Sequence, residues 1–247
     1  MRHSWRQRLS SWGKIAELLF FPSFCELCRA LLENPGERVI CRLCLAKIRP
    51  CPAPFCLACG RFFEGAGSPH LCLECLRGNS PLIKHRSFAR YEGVVKDVIL
   101  LFKYRSFEIL GTFLGDLLAG TLGHEEDLWE GVGAIIPVPL HPIKRKKRGF
   151  NQAQVLAARL ARSKKIKLLD RHLFKLKDVP PQTTLEAEER EKNVRGVFDV
   201  RRGQELKGKT VLLVDDVYTT GATLRECSRV LKKAGAREVR AVTVARA

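Results

Sequence analysis

Residues 211 to 223, Val-Leu-Leu-Val-Asp-Asp-Val-Tyr-Thr-Thr-Gly-Ala-Thr, leave the chain few ways to fold. Val211 to Val214 is apolar and β-branched at both ends, the pattern of a strand buried on both faces inside a parallel sheet. Leu224 to Ala234 carries apolar residues at helical spacing, so Thr219 to Gly221 falls at a helix N-terminus. There the free backbone N–H groups and the positive end of the helix dipole attract an anion. Gly221 permits close approach of the backbone, and the hydroxyls of Thr219, Thr220 and Thr223 add donors. Asp215 and Asp216 would repel an anion, so beside one they suit hydroxyl groups or a metal-bound sugar. A ribose 5-phosphate satisfies both halves.

Cysteine usage divides the chain. Nine of its ten cysteines precede residue 80, and eight of them repeat one spacing: Cys25-x2-Cys28-x12-Cys41-x2-Cys44, then Cys56-x2-Cys59-x12-Cys72-x2-Cys75. Each repeat supplies four thiolates in two pairs, the number that a tetrahedral structural zinc takes, and the x2 spacing lets both sulfurs of one turn reach the same ion. Two structural zinc sites with consecutive pairing follow, an interleaved pairing being the alternative. A disulfide framework is the competing reading of a cysteine-dense module, but it belongs to secreted proteins. The apolar segment from Ile15 to Phe21 does not read as a signal peptide: Glu17 interrupts it, and Pro22 and Cys25 follow without a small-residue cleavage pattern. It is also far shorter than the roughly 20 apolar residues of a bilayer span. Ser11 to Phe21 is expected to be a short amphipathic helix on the cysteine module, with contact to a membrane surface as the alternative. The expected location is the reducing cytoplasm, with no membrane span. Cys51 reads as a spare thiol or as an alternative ligand to Cys56, Cys227 as a buried small apolar residue, and His70 as a surface residue.

At 247 residues the chain has room for a full α/β domain beside the small module, with residues 1–82 expected as the first domain and 83–247 as the second. Ser87 to Tyr91 reads as a strand, Val94 to Tyr104 and Phe107 to Leu122 as helices, Gly133 to Val138 as the first buried parallel strand, and Asn151 to Arg162 as its crossover helix. This βαβ pattern predicts a parallel sheet with helices on both faces. Ligands of such sheets bind beyond the carboxyl ends of the strands, where Pro137 to Arg148 and Asp215 to Thr223 are expected to meet. The polar segment Asp178 to Val197 suits either a mobile hood over that site or a plain solvent-exposed loop.

The formal charge is +18, which two zinc ions, each on four thiolates, would bring to about +14. Lys144-Arg-Lys-Lys-Arg148 is the densest basic run, and others fall at Arg2 to Arg8, Arg159 to Lys167 and Arg237 to Arg246. One such run is ordinarily a solvated face. Several together point to a polyanion, and Lys144, Arg145, Lys146 and Lys147 are the candidate nucleic-acid contacts.

The run Val211 to Thr223 resembles the phosphoribosyl pyrophosphate (PRPP) loop of type I phosphoribosyltransferases. Ile136-Pro-Val-Pro-Leu-His-Pro142, Arg148-Gly-Phe-Asn-Gln-Ala153, Pro180-Pro-Gln-Thr and Asn193-Val-Arg-Gly196 resemble, in order, the signatures of the ComF/GntX family of competence-associated phosphoribosyltransferase-like proteins. The resemblance spans nearly the whole chain. It implies a double zinc ribbon before a phosphoribosyltransferase-like domain. Carried over, Asp215 and Asp216 form the catalytic pair that holds the ribose hydroxyls, while Val217, Tyr218, Thr219, Thr220, Gly221, Ala222 and Thr223 form the phosphate-binding turn. Mg²⁺ accompanies PRPP, Pro137 to His141 sits by the pyrophosphate or is a plain proline-stiffened connector, and Arg148 is the nearer phosphate contact.

The resemblance further implies handling of single-stranded DNA during natural transformation, with partners in the competence machinery. The alternative is an active phosphoribosyltransferase acting on an unidentified nitrogen acceptor in nucleotide metabolism. Thr219 stands where some purine-salvage enzymes carry an Asp for the base, which argues against hypoxanthine or guanine as acceptor. No Cys lies near Met1, which argues against amide transfer from glutamine.

Overall fold

The computed structural model describes residues 23–32, 39–50, 54–78, 82–104, 107–177 and 194–247. The stretch read as an amphipathic helix, residues 11–21, lies outside them, as do Cys51, the Pro180-Pro-Gln-Thr motif and Asn193. The chain divides into two compact units, Met1–Arg49 and Pro50–Ala247. The first cysteine repeat belongs to the former, and the second belongs with the sheet to the latter.

Both repeats fold alike. An antiparallel bridge, Phe24 to Leu31 in the first and Phe55 to Phe62 in the second, closes a knuckle. Its backbone turns through a positive φ at Arg29 and at Gly60 respectively. A one-turn helix then follows the third cysteine of each repeat: α1, Arg42–Leu45, and α2, Leu73–Leu76.

In the second unit the elements run β1 (Lys84–Arg90), α3 (Gly93–Tyr104), α4 (Glu108–Thr121), α5 (Glu126–Trp129) and β2 (Val132–Pro137). They continue with α6 (Pro142–Arg148), α7 (Gln152–Lys164), β3 (Leu173–Lys175), β4 (Phe198–Val200), β5 (Thr210–Tyr218), α8 (Ala222–Lys233) and β6 (Glu238–Arg246). The sheet is parallel throughout, in the order β1-β6-β5-β2. Neighbouring parallel strands need crossovers, and α7 and α8 supply them on either side of β5. β3 and β4 form a separate antiparallel pair that brackets residues 176–197.

β5 is the centre of the domain, with Val211 to Val214 fully buried. Val211 and Leu213 pack with Leu224, Cys227 and Leu231 of α8, so Cys227 is a core residue. Fully buried Ile99 and Phe102 of α3, Leu114 and Leu118 of α4, and Leu156 and Leu160 of α7 fill the helical layer, each worth about 1.5–3 kcal/mol in removed apolar surface.

Two expectations need correction. β1 joins β6 in the same parallel sheet, so Gly133 to Val138 is not its first strand. The strand read as Val211 to Val214 also continues through the acidic pair, because Asp215, Val217 and Tyr218 still find ladder partners in Thr243, Ala245 and Arg246 of β6. Among the described residues no helix is long and apolar enough to cross a membrane.

Candidate functional site

The carboxyl end of β5 carries the acidic pair and hands directly to the glycine turn of α8. Successive strand residues face opposite sides of a sheet. Asp216 meets Lys103 of α3 on one side, its Oδ1 2.9 Å from Nζ. Both side chains are largely buried. Burial lowers the pKa of the Lys103 ammonium, but the charges of Asp216 and Asp215 outweigh it and hold it above the ordinary lysine value. Asp215 lies in the field of Lys175 and accepts the Asp216 backbone N–H at 2.9 Å. Burial, then the neighbouring Asp216 charge, pushes the Asp215 carboxyl up to about 7 against the pull of Lys103 and Lys175. A carboxyl held so close to neutrality suits a ligand that brings hydroxyl groups or positive charge.

The turn itself is Thr219 to Gly221. Gly221 sits at φ 78°, and a Cβ there would run into the Tyr218 hydroxyl and ring, so both backbone and space favour glycine. The Thr220 carbonyl accepts from the Arg225 guanidinium at 2.9 Å, and the Thr220 hydroxyl accepts from Ala222 N–H at 3.4 Å. Thr219 is exposed and Thr223 half-buried at the helix N-terminus. Tyr218 is buried instead. Its ring stacks on His85 at 4.3 Å, and Arg246 lies over it at 4.1 Å. Burial takes His85 down to about 3, so the ring is neutral. Its Nδ1–H then donates to the Cys59 carbonyl at 2.9 Å, and Nε2 faces the hydroxyls of Thr243 and Ser87.

The loop after β2 opens beside this end of β5, since Val138 N–H donates to Val214 O at 2.9 Å. Asn151 binds that loop to α7: its Nδ2 donates to Val138 O at 3.0 Å while its Oδ1 caps the helix through Ala153 N–H. Arg148 lies over the Tyr104 ring at 5.2 Å and donates to Gln152 Oε1 at 3.2 Å. Tyr104 follows Lys103, so Arg148 is carried to the same end of α3 as the Lys103–Asp216 pair. Gln152 Nε2 and His141 Nδ1 are buried with no hydrogen-bond partner among the described residues.

Two groups of four cysteines have their sulfurs mutually within 4.8 Å: Cys25, Cys28, Cys41 and Cys44, and Cys56, Cys59, Cys72 and Cys75. The Cys28–Cys41 and Cys59–Cys72 sulfurs are 3.6 and 3.9 Å apart. A zinc–sulfur bond of about 2.3 Å gives a tetrahedron with edges of about 3.8 Å, so the spacing fits that ion. Backbone N–H groups also point at sulfur: Cys41 N–H to Cys25 Sγ at 3.4 Å, and Cys72 and Cys59 N–H to Cys56 Sγ at 3.4 and 3.5 Å. Burial raises the Cys25 and Cys56 thiols, but these donors outweigh it and bring both down to about 6. Burial and crowding by the other thiols push Cys44 up to about 12. Four such groups ionise together only around a cation.

A family model described as "Phosphoribosyl transferase domain" matches residues 146–247. Competence protein F of Haemophilus influenzae is 31% identical over 234 residues, which cover 92% of this chain and 99% of that protein. Competence protein ComFC of Bacillus subtilis is 30% identical over 84% of this chain and 83% of its own. The DNA utilization protein YhgH of Escherichia coli K12 is 28% identical, with 90% and 96% covered. The chain belongs to the ComF family. Its parallel sheet is of the type I phosphoribosyltransferase kind, and its two four-cysteine clusters are consistent with a double zinc ribbon.

In this ComF chain the basic run forms α6, with Arg145, Lys146 and Lys147 exposed and Lys144 half-buried. Arg145 shares a cavity of about 570 Å³ with Phe150, Arg159 and Arg162 of the following segment, and Glu108 and Thr112 of α4 close it. Arg159 is tied to Asp116 by two contacts of 2.5 and 3.0 Å. Sequence reasoning missed Lys103. One signal was legible: it lies four residues after the fully buried Ile99, on the apolar face of α3, where a lysine needs a partner.

Proposed function

We propose that this ComF protein binds PRPP with Mg²⁺ at the carboxyl end of β5 and uses the site while handling single-stranded DNA in the cytoplasm, beside the competence machinery. The observation that carries the reading is the junction of Asp215 and Asp216 with the Gly221 turn, to which Lys103 and Arg148 bring positive charge. Asp215 and Asp216 would take the ribose hydroxyls, the amides of α8 with Thr219, Thr220 and Thr223 the 5-phosphate, and Arg148 the pyrophosphate. Mg²⁺, when bound with PRPP, neutralises pyrophosphate charge. The names of the relatives, competence and DNA utilization, support the DNA link, and α6 with the Arg145–Arg159–Arg162 cavity offers the cationic surface.

Calorimetry with PRPP and Mg²⁺ tests the site. Each charge-assisted hydrogen bond lost is worth roughly 1.5–3 kcal/mol, so the double variant Asp215→Asn, Asp216→Asn should bind at least about tenfold more weakly. Equal affinity in the double variant, or no binding by the unaltered protein, removes PRPP from the account. The second reading is an active transferase, in which Asp215, its carboxyl pushed up by burial and by Asp216, would take a proton from a nitrogen acceptor. Pyrophosphate release that depends on an added base would establish it.

A further inference from the structure

We infer that the second metal centre, Cys56 with Cys59, Cys72 and Cys75, holds the phosphate turn in shape, with Tyr218 as the positioning residue between them. The inference deepens the reading of Asp215 to Thr223 as a phosphate site and gives the two cysteine repeats different roles.

The connection is a continuous set of contacts within one compact unit. The carbonyl of Cys59 accepts from His85 Nδ1 at 2.9 Å and from an Arg246 nitrogen at 2.6 Å. His85 N–H in turn donates to Ala58 O at 2.8 Å. The knuckle is pressed onto β1 so closely that a Cβ on Gly60 would lie 2.6 Å from His85 O. His85 and Arg246 then both pack on the Tyr218 ring, at 4.3 and 4.1 Å. The Tyr218 hydroxyl fills the space that a side chain at position 221 would take. A ring held there fixes the last residue of β5 and packs against the turn at Gly221.

What fixes the clasp is the Cys59 carbonyl, and what fixes that carbonyl is the coordination of the neighbouring sulfurs. A metal ion on the four thiolates locks the Cys56–Gly60 knuckle. Without it the two donors lose a fixed acceptor, and a buried guanidinium without one is costly. A cavity of about 400 Å³ lined by Cys59, Cys75, Leu82, Tyr218 and Arg225 adjoins the ring, so there is room for it to swing once the clasp loosens. Metal loss at this centre would therefore weaken phosphate binding without touching any residue that contacts the phosphate. The first centre lies in the other compact unit and serves as the control.

The test uses the full-length, zinc-loaded protein and two readouts: amide hydrogen exchange over residues 219–225, and PRPP titration by calorimetry. Tyr218→Leu should keep both metal ions, yet exchange in the turn about tenfold faster, the change that roughly 1.4 kcal/mol of local stability gives. PRPP affinity should fall by a similar factor. Tyr218→Phe keeps the ring between His85 and Arg246 but removes the hydroxyl packed under Gly221, and should loosen the turn less than Tyr218→Leu does. Cys59→Ser, Cys75→Ser should lose one metal ion and loosen the turn, and Cys25→Ser, Cys28→Ser should lose one metal ion and leave the turn unchanged. Unaltered exchange in both Tyr218→Leu and the second-site variant overturns the inference whether or not PRPP binds. Equal loosening by the first-site variant also overturns it, as general destabilisation. Faster exchange at the expected sites in a protein that fails to bind PRPP upholds the buttress and rejects the phosphate-site reading alone.

Discussion

Asp215 and Lys103 are the residues whose charge states are set by one another's surroundings at the end of β5. The Asp215 carboxyl has a folded pKa of about 7 against an ordinary 3.8. The folded state thus binds a proton that the unfolded chain has already released, and the sign follows. Stability from this group is fully present below about pH 4 and declines as pH rises through 7. The loss is at most about 4 kcal/mol at 1.36 kcal/mol per pH unit, and less in a half-buried site. Asp215→Asn should flatten the decline in thermal midpoint of the ligand-free protein between pH 5 and 8 and raise the midpoint at pH 8. Parallel pH profiles for the two proteins would refute the assignment. Lys103 is the converse case: Lys103→Met leaves Asp216, 9% exposed, without its 2.9 Å partner, which should cost about 3 kcal/mol in chemical denaturation. The pair Lys103→Met, Asp216→Asn should recover much of that loss, because no buried charge is then left alone.

At the scale of elements, the cysteine knuckles and the β5–turn–α8 unit were legible because each is a local pattern. Cysteines at x2 and x12 spacing need only short loops to converge, and an apolar strand followed by Gly221 and an amphipathic helix needs no distant partner to be recognised. The end of β5 is not a local pattern. Whether Asp215 to Tyr218 continue the strand depends on Thr243 to Arg246 being there to pair with them. The same limit hid the Tyr218 clasp, whose members Cys59, His85 and Arg246 come from three distant parts of the chain. It also hid the Lys103–Asp216 pair, which spans 113 positions. The knuckles carry a prediction at this scale. Two tetrahedral sulfur sets should hold about two zinc ions per chain in the purified, reduced protein, and a strong chelator should release them with a loss of folded signal. Elemental analysis that finds one ion or none removes the double zinc ribbon.

At the scale of the whole molecule, the excess of 44 basic over 26 acidic residues is too large for one small anion to account for. A single PRPP needs a turn, an acidic pair and one or two cations, all of which gather at the end of β5. Of α6, Arg145 lines the cavity of about 570 Å³ with Arg162, Phe150, Glu108 and the Asp116-paired Arg159. If the proposed DNA link holds, such a groove would take phosphates on its cations and a base on the ring. Such binding should show little sequence preference and should weaken steeply with salt, with a log–log slope of about −0.7 for each phosphate neutralised. Replacing Lys144, Arg145, Lys146 and Lys147 by Ala should flatten that slope, by as much as about 2.8 if all four meet phosphates. Arg148 stays in place in this variant, so PRPP affinity should hold. Fluorescence anisotropy of a labelled oligonucleotide across a salt series measures both slopes. Salt-insensitive binding, or one slope for both proteins, would take α6 out of the nucleic-acid surface and leave the small-molecule transferase as the better account of this ComF protein.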